Sequence, residues 1–356
     1  MKHSDIILFA VVIILTLFGL LMVYDASSVM AFNIFGDKYH FIKEQLVWVT
    51  LGFTALFIFS RIDYHRLFNL ALPFLIVALV LLVLVFIPGI GAGAKGANRW
   101  IDIGFFNLQP AEFVKLALAL YLSAWFANKE KGRLLAFILL IGAVLLLVML
   151  EPDMGTASII LSEAIIIYFL SGGNTTYFLL GAPVVAILGF ILIKLEPYRA
   201  SRLTSFLNVD KSIGDASYHV KQVLIALGSG GFFGLGIGNS LQKFAYLPEN
   251  VTDSIFPIIA EEFGFVGSGL LIILFIILIW RGYVIAAKAR DNFGKLFAAG
   301  IVSFIGIQTI LNLGSMTALL PLTGVPLPFI SYGGSALIID MASMGILLNI
   351  AKQGGR

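Results

Sequence analysis

Apolar residues fill long runs of the chain, near 6–24, 46–60, 70–87, 111–127, 134–150, 155–171, 176–194, 255–280, 296–318 and 336–351. A bilayer crossing needs about 20 largely apolar residues, so these runs predict ten membrane helices, with 46–60 falling short of that length. The first run follows Lys2 and His3 as a signal peptide would. It is long for such a segment and lacks a small-residue cleavage site after Tyr24, so it reads as a retained helix. One polar stretch, about 196–253, is far longer than the others. Connections of that length are usually functional or disordered, and apolar stretches such as Val220 to Leu227 argue for order. The expected fold is all-α and polytopic, a single domain over 1–356 containing one long loop at 196–253.

The polar segments differ in charge from side to side, which orients the helices because basic residues are retained in the cytoplasm. One side carries Lys2, Arg61, Arg66, Lys129, Lys131, Arg133, Arg281, Lys288, Arg290, Lys295, Lys352 and Arg356. The short opposite loops carry only Lys38, Lys43, Lys95 and Arg99. Both termini are therefore expected in the cytoplasm and the loop at 196–253 outside.

Composition narrows the chemistry. The chain is 60% hydrophobic and 12% charged, against about 25% charged residues in soluble domains. It has no cysteine, which excludes disulfides, thiolate zinc sites and iron–sulfur clusters, and its four histidines are too scattered to suggest a metal cage. The net charge of +3 is dispersed, so nucleic acid is not an expected partner. No repeat of fixed period supports a solenoid or a duplicated transporter.

Ionisable residues at membrane depth cost a few kcal/mol on insertion scales and are functional candidates by default. Glu112 and Lys115 lie three apart on one helical face, as an ion pair or as substrate-binding groups. Glu163, Glu261, Glu262 and Asp340 suggest a proton pathway or bonds to neighbouring helices; the latter is favoured for Glu163 and Asp340. Asp253 lies where the loop re-enters the membrane, a place for a helix cap and for a catalytic carboxylate. The glycine-rich stretch 228–238 lacks the Gly-Lys-Ser/Thr of a phosphate loop and reads as tight turns and close backbone approach. Arg199 and Arg202 open the long loop at headgroup level, where arginine forks match lipid phosphates or a lipid-linked pyrophosphate.

Several spaced motifs resemble the SEDS family (shape, elongation, division and sporulation) of peptidoglycan polymerases. They are Asn98-Arg99-Trp100-Ile101, Gln109-Pro110-Ala111-Glu112-Phe113-Val114-Lys115, Glu151-Pro152-Asp153-Met154-Gly155-Thr156 and Pro197-Tyr198-Arg199 with Arg202. Further along come Leu247-Pro248-Glu249 with Thr252-Asp253, Glu261-Glu262-Phe263-Gly264 and Gly324-Val325-Pro326-Leu327-Pro328-Phe329-Ile330-Ser331-Tyr332-Gly333-Gly334. The family pattern usually has His before Thr-Asp and Phe after it, where this chain has Val251 and Ser254. Short tails fit an elongation-type member.

The resemblance implies a bacterial cytoplasmic-membrane enzyme that joins disaccharides of lipid II into glycan strands at the outer face. It implies Asp253 as general base, with Arg199, Arg202, Lys115, Glu112 and Glu249 binding substrate, and a class B penicillin-binding protein as partner. A magnesium or manganese ion is left open, since Glu249 with Asp253 is a thin donor set. The rival from another class is a transporter that moves lipid II across the bilayer on its intramembrane carboxylates.

Overall fold

The computed structural model describes residues 3–94, 97–104, 106–127, 133–174, 176–195, 197–207, 215–244 and 247–354. Twelve helices form among them: α1 His3–Phe35, α2 His40–Arg61, α3 His65–Leu84, α4 Pro110–Ala127, α5 Leu134–Leu150, α6 Met154–Leu170, α7 Thr176–Leu195, α8 Pro197–Leu207, α9 Asp215–Ser229, α10 Ile255–Ala287, α11 Asn292–Met316 and α12 Gly334–Gln353. Seven of these, α1 to α4 and α10 to α12, are long and apolar enough to cross a bilayer, and α5 and α6 are shorter apolar helices. With α7 they match the ten apolar runs. Lys2, Lys95, Lys129, Lys131 and Arg356 of the charge count lie outside the described residues.

The spans at α4, α11 and α12 are the most buried, while α2 and α3 turn most of their apolar surface outward, as helices in contact with lipid tails do. With no hydrophobic drive between helices in lipid, close packing relies on small residues. A Cβ on Gly345 of α12 would stand 2.4 Å from the Leu56 carbonyl oxygen of α2, so these two backbones meet where no side chain fits.

Two features depart from a plain helical bundle. Between α3 and α4 the chain forms a small antiparallel sheet of β1 Gly91–Ala94, β2 Ala97–Asp102 and β3 Asn107–Leu108, in that order. This adds strands to the all-helical expectation. The long loop is also partly helical, since it holds α8 and α9; residues 196, 208–214 and 245–246 of it lie outside the described set.

The second departure is a break in α10 at Gly264, which has φ 66° and ψ −165°. A broken helix leaves carbonyls on one half and N–H groups on the other without partners, at a cost that lipid does not relieve. The glycine-rich loop supplies them. Leu235 and Gly236 donate backbone N–H groups to the Glu261 and Glu262 carbonyls at 2.9 and 3.0 Å, and Phe265 and Val266 donate to the Gly231 and Phe232 carbonyls at 3.0 and 3.2 Å. Close approach demands glycine here: a Cβ on Gly234 would lie 2.1 Å from the Glu262 oxygen.

The acidic side chains beside the break serve the same join. Glu261 accepts from Ser240 Oγ and from the Leu241 and Gln242 N–H groups. Glu262 accepts from the Ser240 N–H at 3.2 Å and from Lys243 Nζ at 3.0 Å, and Lys243 also bridges to Asp25 of α1 at 2.9 Å. Glu261 and Glu262 thus hold the long loop to α10, which is the alternative the sequence offered for them, bonds to neighbouring elements.

Candidate active site

Four segments converge around Asp253: the turn at 249–254, α8, the corner between α5 and α6, and the loop after α11. The turn is built locally. Glu249 takes a left-handed φ of 53°, the Thr252 and Ser254 N–H groups donate to its carbonyl at 3.2 and 3.1 Å, and Thr252 Oγ1 lies 3.3 Å from both the Glu249 and Asp253 carboxylates. Asp253 does not act as the side-chain cap of α10; Ser254 occupies that position without a capping bond. Asp253 is only 8% exposed, whereas Glu249 is exposed.

Arg202 of α8 is half-buried and donates from Nη1 to the Leu322 carbonyl at 2.9 Å. Gly324, with φ 72°, lets the loop turn beneath it: a Cβ there would sit 3.4 Å from Arg202 Nη1 and 3.8 Å from Asp253 Oδ2. The guanidinium and the carboxylate therefore flank one bare stretch of backbone. Burial, and then the Glu249 charge, push the Asp253 carboxyl up to about 6, while Arg202 opposes the shift. A carboxylate of that basicity, half a step from water and beside a cation, can take a proton from a hydroxyl while the arginine meets negative charge.

The corner between α5 and α6 carries the second arginine pair. Arg199 of α8 is buried and donates to the Met149 carbonyl at 3.1 Å. Arg99 of β2 holds the Glu151 and Pro152 carbonyls at 2.9 and 2.6 Å. Asp153 caps α6 by accepting from the Thr156 N–H at 2.9 Å, and Gly155 packs where a Cβ would meet Val325 at 2.3 Å. Sequence motifs far apart in the chain thus share one corner. Glu151 is buried there, and its carboxylate accepts no hydrogen bond among the described residues. Burial first, and Asp153 second, raise its carboxyl to about 8 against the pull of Arg99.

Glu112 and Lys115 lie elsewhere. They are 1% and 0% exposed and form an ion pair at 2.7 Å, with Lys115 Nζ also donating to Gln308 Oε1 at 2.5 Å. This pair sits inside the bundle, not against the carboxylate of Asp253. Glu163 and Asp340 are likewise wholly buried, and their carboxylates accept no hydrogen bond among the described residues, so the expected bonds to neighbouring helices are not present there. Sequence reasoning missed three neighbours of the site: Asn312, Glu151 as a buried group, and His219, whose Nε2 lies 2.7 Å from Ser254 Oγ. Glu151 stands in the Glu151-Pro152-Asp153 motif, whose letters carry no information on burial; nothing local marked Asn312 or His219, which reach the site from other elements. Among the described residues no group of three or more His, Asp or Glu forms a metal cluster.

Comparison with known proteins agrees across the whole chain. Residues 5–355 match the family model for FtsW, RodA and SpoVE cell cycle proteins. Stage V sporulation protein E of Bacillus subtilis is 39% identical, over 98% of this chain and 97% of its own. A probable peptidoglycan glycosyltransferase FtsW of Geobacter sp. is 40% identical over 98% and 97%. Among solved structures, one described as coordinating polymerization and crosslinking in a peptidoglycan synthase complex superimposes with a TM-score of 0.82 at 27% identity, covering 97% of this chain and 96% of that one. The rod shape determining protein RodA of Thermus thermophilus gives 0.72 at 27%, covering 98% and 97%. The relatives include a sporulation protein as well as a rod shape determining protein, so the comparisons do not single out the expected elongation role. The chain belongs to the FtsW/RodA/SpoVE family of multi-pass membrane proteins.

Proposed function

We propose that this protein is a peptidoglycan glycosyltransferase that polymerises lipid II at the outer face of the bacterial cytoplasmic membrane, with Asp253 as its general base. The observation that carries the reading is the buried Asp253 carboxylate beside Arg202 at the bare Gly324 backbone, on the side that the Lys and Arg bias places outside. The names of the relatives and the synthase complex support the reaction class.

In this reaction the 4-hydroxyl oxygen of the acceptor sugar attacks the anomeric carbon of the donor. The bond from that carbon to the pyrophosphate oxygen breaks, and the hydroxyl proton passes to Asp253 as the new bond forms. An α-linked donor and a β-1,4 product make this a single inversion, which needs one base and no paired nucleophile. The departing undecaprenyl pyrophosphate gains negative charge, which Arg202, beside Asp253, would meet, with Arg199 one turn earlier on α8 as a second cation; guanidinium forks suit phosphate oxygens. Burial first, and the Glu249 charge second, keep the proton affinity of Asp253 high. Lys115 and Glu112 act from within the bundle and not on the substrate directly. A class B penicillin-binding protein is the proposed partner.

The test is polymerisation of lipid II in detergent by the purified protein with its transpeptidase partner. Asp253→Ala and Asp253→Asn are expected to lose glycan chains, and the wild-type rate is expected to rise with pH through about 6 as Asp253 ionises. Normal polymer from both folded variants would remove Asp253 from the reaction. Movement of lipid II between leaflets without polymer would instead favour a transporter built on the intramembrane carboxylates.

A further inference from the structure

Asn312 lies on α11, wholly buried, one turn from the end of the helix. Its Nδ2 carries two N–H groups, and both are used: one reaches the Asp253 carbonyl at 2.8 Å and the other the Val325 carbonyl at 2.7 Å. One side chain therefore ties the turn bearing the base to the loop beneath Arg202. Its orientation is fixed, since a flipped amide would set its oxygen against two carbonyl oxygens. Four residues earlier, Gln308 repeats the arrangement: Nε2 donates to the Pro326 carbonyl at 3.0 Å and Oε1 accepts from Lys115. Two amides on one face of α11 thus hold consecutive carbonyls of the 324–326 loop.

We propose that Asn312 is a positioning residue for glycosyl transfer, setting the separation of Asp253 and Arg202, and that Gln308 extends this clamp to the Lys115–Glu112 pair. The proposal rests on the reading of Asp253 as base. A charged pair inside the bundle then acts on the outer site through hydrogen bonds to backbone, without touching substrate. The motif residues Glu112 and Lys115 are connected to the outer motifs by this route. A misplacement of about 1 Å in a reacting pair can slow a reaction 100-fold, so the clamp matters to rate.

Asp253 is faced by Glu249 from its own turn, by Arg202 from α8, and by the neutral amide of Asn312 from α11, while His219 of α9 reaches the adjacent Ser254. Releasing the turn admits water to the carboxylate. Its proton affinity then falls toward the ordinary carboxylate range, and the acidic limb of the rate profile moves below pH 6.

The experiment compares wild type, Asn312→Ala, Asn312→Ser and Asp253→Asn in full-length protein with lipid II and the transpeptidase partner, from pH 5 to 8. Serine keeps one donor and little bulk, so it carries the comparison if the alanine variant fails to fold. The expected result is a fall of ten-fold or more in kcat with KM changed less than three-fold, and an acidic limb shifted to lower pH. Wild-type kcat and an unmoved limb in a folded Asn312 variant would overturn the clamp, as would a loss of melting temperature alone. Activity in Asp253→Asn would instead overturn the base assignment, so the two failures are distinct.

Discussion

At Asp253 the burial that suits the chemistry works against stability. A carboxyl with a folded pKa of about 6 against an ordinary 3.8 binds more protons folded than unfolded between those values. Unfolding free energy therefore falls as pH rises through that window and stays lower above it. The shift corresponds to a cost on the order of 3 kcal/mol at neutral pH. Asp253→Asn keeps the shape without the charge, so its melting temperature at pH 7.5 is expected to equal or exceed that of wild type. A clear fall on thermal denaturation in detergent would contradict this. At this scale the sequence was informative where motif letters stand together: Asp253, Glu249 and Arg202 were readable and do converge. Asn312 was not, because an asparagine in an apolar helix has the same signature whether it faces a site 59 residues upstream or a neighbouring helix. The ion pair of Glu112 with Lys115 followed from their three-residue spacing, yet spacing carries no information on depth, and the pair proved wholly buried.

The elements were legible in proportion to their apolar length. Each of the ten runs became a helix, since a lipid-facing segment must satisfy its own backbone. Ends were less visible: α1 continues to Phe35 past the polar Asp25, because Asp25 finds Lys243 across the fold. The sheet at 91–108 had no alternation to reveal it, as Gly-Ala-Gly-Ala carries no polar face. Packing between helices was also hidden, since glycine in an apolar run marks either lipid or a close neighbour. Gly345 and Gly142 separate these cases. A Cβ on Gly345 meets the α2 backbone, while nothing lies within 4 Å of one on Gly142. Gly345→Ala is expected to destabilise the protein by about 1–3 kcal/mol through forced separation of α2 and α12. Gly142→Ala should be neutral or stabilising by up to about 1 kcal/mol. Thermal melts of the two variants provide the check, and equal melting temperatures would show that the α2–α12 contact is looser than described.

Across the whole molecule, orientation rests on twelve basic residues against four. The absence of cysteine makes this directly measurable, because any introduced thiol is the single reactive one. Lys38→Cys and Asn239→Cys, both exposed on the proposed outer side, should react with a membrane-impermeant maleimide in intact spheroplasts. Arg290→Cys should react only after permeabilisation. The reverse pattern would turn the molecule over and place Asp253 in the cytoplasm. The interrupted helix α10 has a consequence of its own within this frame. Its four backbone bonds to residues 231–236 join a surface loop to a membrane span, each worth about 1 kcal/mol net and more when lipid replaces water. The loop is therefore not a flap that lifts alone. Two of those bonds run to the half of α10 before Gly264 and two to the half after it, so the loop splints the break: the outer half, with Asp253 at its end, can bend at Gly264 only by giving up the Phe265 and Val266 bonds.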